Sequence, residues 1–337
     1  LILFQLFFCT VFSQQKVVVK TEKEWLYFQN DQLQLAFNLN NGLFNLTNNK
    51  NEKIITNAYF RANGLQSKDS CEKRTWTVEN INDELGKGKA LTIKISFANY
   101  ADILWQVRLY DDKEFLWVNM GIDNDTKNEY HLRSGYPPSR NQVYPGKNNK
   151  INYRVLDGNG GGSPTWVTDT PTLHSFNNIL VKFGDNTLPD ILVAGGITYH
   201  EFEKFVRVTQ EDNALQLRLY SEDPVGKLID AEKTYWLNEK FYLCFENKNP
   251  FEALEKYADA LKKEQHIHLN YYNFPTECLW YASFYNNNNI RPKFNNTKGA
   301  VEEMNNAIKS GITKYTKVAI RLVPDAYGAN NQQGWWD

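Results

Sequence analysis

From about Val17 to Leu243, apolar and polar residues alternate with period two in short runs that read as strands. Leu91-Thr92-Ile93-Lys94-Ile95-Ser96-Phe97, Trp105-Gln106-Val107-Arg108-Leu109 and Leu215-Gln216-Leu217-Arg218-Leu219 are the clearest. Every second residue of such a run points to the same side of a sheet, so each run has one apolar and one polar face. Turn-forming clusters separate the runs, among them Asn40-Asn41-Gly42, Asp111-Asp112-Lys113 and Asp157-Gly158-Asn159-Gly160. The pattern predicts a large antiparallel β sandwich in which helices are nearly absent.

The alternation gives way to helical spacing near residue 249. Asn249 is placed to cap a helix. Pro250 suits the first helical position, where its missing N–H costs nothing, and Glu252 stands three residues after the cap, as in a capping box. Phe251, Leu254, Tyr257, Ala258 and Leu261 repeat at intervals of three or four, which predicts an amphipathic helix to about Glu264 bridging two domains. Beyond Gln265 the apolar runs Cys278 to Tyr285 and Lys317 to Val323 flank a helically spaced segment. That segment carries Ala300, Val301, Met304, Ala307 and Ile308 and is closed by Gly311. This is the signature of one parallel βαβ unit. Parallel sheets carry their chemistry at the carboxyl ends of the strands, and there the second run opens into Pro324-Asp325-Ala326-Tyr327-Gly328 and then Gly334-Trp335-Trp336-Asp337. Carboxylates among aromatic side chains at such an edge suggest a sugar site.

Leu1 to Phe12 is almost wholly apolar and Ser13 follows, with Val11 two before it, a pattern expected of a clipped signal peptide over residues 1–13. A dozen apolar residues are too few to cross a bilayer, which needs roughly 20. The expectation is a protein secreted or held in a lysosomal or vesicular compartment, free of the membrane once the leader is removed. Lys plus Arg number 38 against 39 for Asp plus Glu, so no polybasic field points to nucleic acid. Aromatic residues make up 14% of the chain, enough to fill a β-rich core and to line carbohydrate subsites. Outside the leader, Cys71, Cys244 and Cys278 form no CxxC pair; one disulfide and one leftover thiol would be compatible with them. Asn45, Asn124 and Asn295 head Asn-x-Ser/Thr sequons that fit the secretory route.

Several motifs admit sharper readings that the residues do not support. The glycine-rich stretch from Asp157 to Pro164 lacks the Lys-Ser/Thr of a phosphate loop and leads into no amphipathic helix, so it predicts no nucleotide cofactor. His266 and His268 have no companion ligand at metal-site spacing, and no metal is expected. Tyr199-His200-Glu201-Phe202-Glu203-Lys204 could be read as acid/base machinery, but a charged strand edge accounts for it equally simply. No G-x-S-x-G elbow occurs, which argues against serine hydrolase chemistry.

In its order of elements the chain resembles the α-galactosidases and raffinose-synthase-like proteins of glycoside hydrolase family 36. The likeness rests on the β-rich first part, the Asn249-Pro250-Phe251-Glu252-Ala253-Leu254 helix, the run Trp280-Tyr281-Ala282-Ser283-Phe284-Tyr285, and the boxes at Asp325 and Gly334-Trp335-Trp336-Asp337. It implies a β supersandwich over residues 14–248, a linker helix over 249–264, and the first two βα units of a truncated (β/α)8 TIM barrel over 265–337. The resemblance implies a retaining glycosidase, in which one Asp attacks the anomeric carbon and a second serves as acid and then base, roughly 5 Å away. Both are expected on later strands, beyond Asp337, so no catalytic residue is assigned here and the chain alone is expected to be inactive. Asp325 and Asp337 would instead hold sugar hydroxyls through charge-assisted hydrogen bonds, and Trp280 and Trp336 would stack on sugar faces. The family's box carries two Asp where Asp325 stands alone, and its Gly-Trp step is displaced here to Gly334-Trp335, which marks a divergent branch. The expected partner is an oligosaccharide or glycoconjugate, and an oligomer is compatible with the sequence. Two further classes fit the same residues: a secreted carbohydrate-binding or adhesion module, and a transglycosylase of raffinose-synthase type.

Overall fold

The computed structural model describes residues 16–49, 51, 53–143, 153–157, 165–166, 172–183, 191–211, 214–246, 249–268, 274–278 and 297–321. The expected signal peptide lies outside them. The chain divides into two compact units, Leu1–Ile267 and His268–Asp337.

Among the described residues, twenty strands build the first unit. The chain begins with β1 (Val18–Glu22), β2 (Trp25–Gln29), β3 (Leu33–Asn38), β4 (Phe44–Asn48), β5 (Lys53–Ala62) and β6 (Leu65–Gln66). It continues with β7 (Lys73–Asp83), β8 (Gly86–Ser96), β9 (Asp102–Tyr110), β10 (Phe115–Asn124), β11 (Tyr130–Val143), β12 (Tyr153–Asp157) and β13 (Thr165–Trp166). Then come β14 (Thr172–Ser175), β15 (Asn178–Phe183), β16 (Ile191–Gly196), β17 (Glu203–Glu211), β18 (Ala214–Ile229), β19 (Lys233–Trp236) and β20 (Phe241–Glu246). They form two ten-stranded sheets, one ordered β1-β2-β3-β4-β5-β11-β18-β17-β14 with β6 on β5, the other β13-β12-β15-β16-β20-β10-β9-β8-β7 with β19 on β10. Neighbours pair antiparallel, as the alternating runs require; β8 and β9, for example, match Leu91 to Val107 and Ile93 to Trp105.

The main core lies between the sheets, where apolar residues from both inner faces form one cluster. Leu91, Ile93 and Ile95 point into it, as do Trp105, Val107 and Leu109, and Leu215, Leu217 and Leu219. Trp105 reaches across: its ring lies 4.7 Å from Phe44 and 4.8 Å from Phe60 of the other sheet. Fully burying aromatic side chains of this size stabilises a fold by several kcal/mol each, roughly 3–5 when one is cut to Ala. A second cluster covers the opposite face of the second sheet, joining Tyr110, Phe115, Trp117, Val193 and Tyr242 to Ala253, Tyr257 and Ala260 of α1 (Pro250–Glu264). Because β10 is covered on both faces, Phe115 to Gly121 are buried without interruption and show no period-two alternation.

The N-terminus of α1 is capped as the sequence predicts, with Asn249 Oδ1 accepting from the Phe251 N–H at 3.0 Å. Its buried stripe differs from the predicted one. Ala253, Tyr257 and Ala260 are buried, Leu254 and Leu261 flank them, and Phe251 is 72% exposed. The alanines permit close approach, and Gly195 of β16 leaves room for the Tyr257 ring, which would lie 2.7 Å from a Cβ on Gly195. The Tyr257 hydroxyl donates to the Gly196 carbonyl at 2.6 Å.

In the second unit β21 (Thr276–Cys278) and β22 (Ala319–Arg321) pair in parallel, joined through α2 (Thr297–Ser310). Gly311 follows α2 in the left-handed region, φ 81°, where glycine carries no Cβ penalty. β21 starts two residues ahead of the predicted run and β22 two residues inside its own, since Lys317 and Val318 precede the strand; Leu279 to Tyr285, Leu322 and Val323 lie outside the described residues. These residues comprise one βαβ unit and do not by themselves close a barrel.

Candidate functional site

The carboxyl edge of the β21–β22 pair is where a parallel sheet offers a site. Cys278 stands opposite Arg321 in the parallel register. In sequence, Trp280 follows Cys278 by two positions and Asp325 follows Arg321 by four. Trp280, Asp325, Trp336 and Asp337 lie outside the described residues. The structure therefore brings together the strands that precede the first two, and makes no statement on the side chains themselves.

A cluster of titratable groups in the first unit lies at the loop between β16 and β17. The Glu239 carboxylate is buried, accepts from the backbone N–H groups of His200 (2.9 Å), Glu201 (2.7 Å) and Phe202 (3.1 Å), and pairs with the buried Lys204 ammonium. Burial pushes the Lys204 pKa down to about 8, against the pull of Glu239 in the other direction. The Lys204 ammonium also sits 4.1 Å from the centre of the Tyr199 ring. Glu201 accepts from the Tyr235 hydroxyl and pairs with Lys227 at 3.4 Å, and the Tyr235 bond is the leading reason its pKa is lowered. A carboxyl group poised as a general acid needs a raised pKa and room for a substrate proton. Glu201 is held ionised and Glu239 has its oxygens engaged, so this motif organises a loop and carries no acid/base chemistry.

An aromatic ladder crosses the outer face of the first sheet. His174, Phe205, Tyr220 and Tyr136 stand on β14, β17, β18 and β11 with successive centroids 4.9, 4.8 and 5.0 Å apart and interplanar angles of 16°, 20° and 15°. The Arg61 guanidinium closes the row, 3.9 Å from the Tyr136 ring centre. Sugars bind aromatic residues by lying on ring faces. Here the faces of Phe205, Tyr220 and Tyr136 are occupied by one another, by His174 and by Arg61, so only ring edges look outward. The ladder stiffens the sheet and is no stacking platform.

A polar cleft of ≈ 240 Å³ opens between α1 and the β9–β10 turn, floored by Leu85, Phe115 and Ala260. Its charges pair within it, Lys256 with Glu114 at 3.4 Å and Lys263 with Asp259 at 2.6 Å. Among the described residues no group of His, Cys, Asp and Glu is arranged to hold a metal ion. Cys71 is a half-buried free thiol, and Cys244 is buried in β20. No helix among the described residues is long and apolar enough to cross a membrane.

No protein-family model matches the sequence, and no curated protein matches it. Solved structures do match in fold. The α-galactosidase from Lactobacillus brevis aligns with a TM-score of 0.52 at 8% identity, over 87% of this chain and 48% of that one. The galactosidase domain of an α-galactosidase–sucrose kinase aligns at 0.49 and 7% identity, over 77% and 46% of the two chains. An α-N-acetylgalactosaminidase from Bifidobacterium bifidum aligns at 0.49 and 8% identity, over 87% and 50%. The chain thus spans about half the length of these structures. At such identity the likeness is one of fold, and the fold is glycosidase-like.

Proposed function

We propose that this chain supplies the β supersandwich and the opening βα layer of a retaining glycosidase of the α-galactosidase type, exported from the cell and acting on an oligosaccharide or glycoconjugate. The observation that carries this reading is the succession in one chain of a glycosidase-like sandwich, a capped helix and a parallel βαβ unit. The Lactobacillus brevis α-galactosidase, whose fold the chain shares, supports the choice of sugar class. On this reading the β21–β22 sheet grows into a (β/α)8 barrel, as in family 36, and its carboxyl edge faces the sugar. Asp325, and Asp337 after it, accept hydrogen bonds from ring hydroxyls while Trp280 and Trp336 stack on the ring, fixing its orientation ahead of chemistry by carboxylates on further strands. The consumed ring faces of the aromatic ladder speak against the sandwich as a sugar-binding module in its own right.

The test is to read the transcript beyond the codon for Asp337 and assay the extended product on nitrophenyl α-galactosides. The expected continuation has strands ending in Asp at intervals of roughly 30 to 40 residues, and the product turns over with retention of configuration. In it Asp325→Asn lowers kcat/KM about 10- to 100-fold, the equivalent of a charge-assisted hydrogen bond of roughly 1.5–3 kcal/mol. A stop codon directly after Asp337, or an extended product inert toward every α-glycoside, would overturn the reading. So would robust hydrolysis by residues 1–337 alone.

A further inference from the structure

Two of the three sequons fall on described residues, and the fold treats them in opposite ways. Asn124, at the end of β10, is completely buried. Its Nδ2 donates to the carbonyls of Asn128 (2.9 Å), Ile229 (3.1 Å) and Asp230 (2.9 Å), while its Oδ1 accepts from the Thr126 hydroxyl at 2.7 Å. The side chain thus ties the end of β10 to the end of β18. Asn45, in the middle of β4, lies between the inward-facing Phe44 and Leu46 and points away from the core. It is partly exposed. Its Oδ1 accepts from the Asn57 N–H at 3.0 Å, in a bulge where Asn57 takes φ 52°, and none of the described residues accepts from its Nδ2. Its cross-strand neighbour is Ala36, whose methyl group leaves space beside it.

We propose that Asn45 carries an N-linked oligosaccharide and that Asn124 stays unmodified. The proposal rests on export of the chain, which exposes it to the transferase and its lipid-diphosphate-linked oligosaccharide donor. In the transfer, Asn45 Nδ2 bonds to the anomeric carbon and loses one proton. The anomeric C–O bond to the diphosphate breaks, and the lipid diphosphate departs with the electron pair. The remaining Nδ2 hydrogen points to solvent and Oδ1 keeps its bond to Asn57, so the folded state accommodates the product. The same step at Asn124 would leave one N–H for three carbonyls, that of the buried Ile229 among them, and attach a sugar to a completely buried side chain. The outer face of β3, β4 and β5 would then be a permanently solvated, glycan-bearing surface.

The experiment expresses the full chain behind a heterologous leader in a eukaryotic secretory host and recovers the protease-resistant luminal and secreted protein. It is then treated with peptide-N-glycosidase in heavy-oxygen water, which turns each glycosylated Asn into labelled Asp, and peptides are read by mass spectrometry. The expected result is label at Asn45 and none at Asn124. Thr47→Val destroys the Asn45 sequon while leaving Asn45 in place. It also removes a hydroxyl that is buried with no partner among the described residues, so this variant folds and should lose the Asn45 label with its gel shift. Unlabelled Asn45, or labelled Asn124 in the folded protein, overturns the proposal. Repeating the expression with the full native leader, read from the transcript on the 5′ side of Leu1, separates the two ideas: a failure there counts against native export and leaves the assignment of Asn45 standing.

Discussion

Lys204 and Glu239 show how a single buried pair organises a loop. The pair is completely enclosed, and Glu239 holds three backbone N–H groups besides. Removing one member leaves an uncompensated charge, so Lys204→Met should cost about 3–5 kcal/mol in urea unfolding, and the double variant Lys204→Met/Glu239→Gln should recover part of it. The pH dependence follows from the sign of the Lys204 shift. The folded chain releases this proton near pH 8, whereas the unfolded chain keeps it to about 10.4, so the unfolded state binds more protons between those values. Stability therefore rises from pH 8 toward 10, with the burial cost of the ammonium present in full below 8. Above pH 10 the trend reverses, because burial raises Tyr110, Tyr235 and Tyr257 and the unfolded chain loses phenolic protons that the folded one keeps. Wild type should gain about 1–2 kcal/mol between pH 7.5 and 9.5 relative to Lys204→Met; equal slopes would refute the assignment. Gly42 is a residue fixed by backbone geometry alone. It takes φ 69°, and a Cβ there would lie 1.8 Å from the Ser67 carbonyl oxygen, so Gly42→Ala should destabilise by more than about 1 kcal/mol.

At the scale of elements, α1 is the clearest case of a helix whose ends are local and whose face is tertiary. Asn249→Ala should cost about 1 kcal/mol through the lost cap. Tyr257→Phe leaves the ring in place but removes the shorter of two hydroxyl bonds to the Gly196 carbonyl, the other coming from Tyr199 at 3.3 Å, for a loss of about 0.5–1.5 kcal/mol. Phe251→Ser, on an exposed position that the apolar spacing nominated for burial, should stay within about 0.5 kcal/mol of wild type by the same urea midpoints. Equal losses at Tyr257 and Phe251 would mean that the helix docks by the predicted stripe after all.

For the sandwich as a whole, the seam between the sheets should govern cooperativity. Trp105→Ala removes the ring that bridges to Phe44 and Phe60 and should cost about 3–5 kcal/mol with one unfolding transition for both sheets, followed by near- and far-ultraviolet circular dichroism. The chain passes repeatedly between the sheets, β7 to β10 in one, β11 in the other, β12 and β13 back again. Pairings such as β5 with β11 are therefore distant in sequence, and the first sheet is complete only once β18 is in place, the second only with β20.

The sequence by itself determined the alternating strands β8, β9 and β18, the turns at Asn40 to Gly42 and Asp111 to Lys113, the cap of α1 and the βαβ order of β21, α2 and β22. These depend on spacings of a few residues, which side-chain geometry converts directly into faces and ends. It also named the carboxyl edge of the parallel pair as the place for a site, a rule of topology that needs only strand order. Tertiary structure alone decided the rest. β10 shows no alternation because the second apolar cluster and the Trp236 ring cover its other face, and α1 docks by alanines and Tyr257 because Gly195 leaves a hollow in β16. The partnering of Glu239 with Lys204, the consumption of ring faces along the aromatic ladder, and the contrast between Asn45 and Asn124 all depend on neighbours brought together from distant sequence. Whether a polar or aromatic group is spent inside the fold or left for a ligand is settled by those neighbours, and no local spacing encodes them.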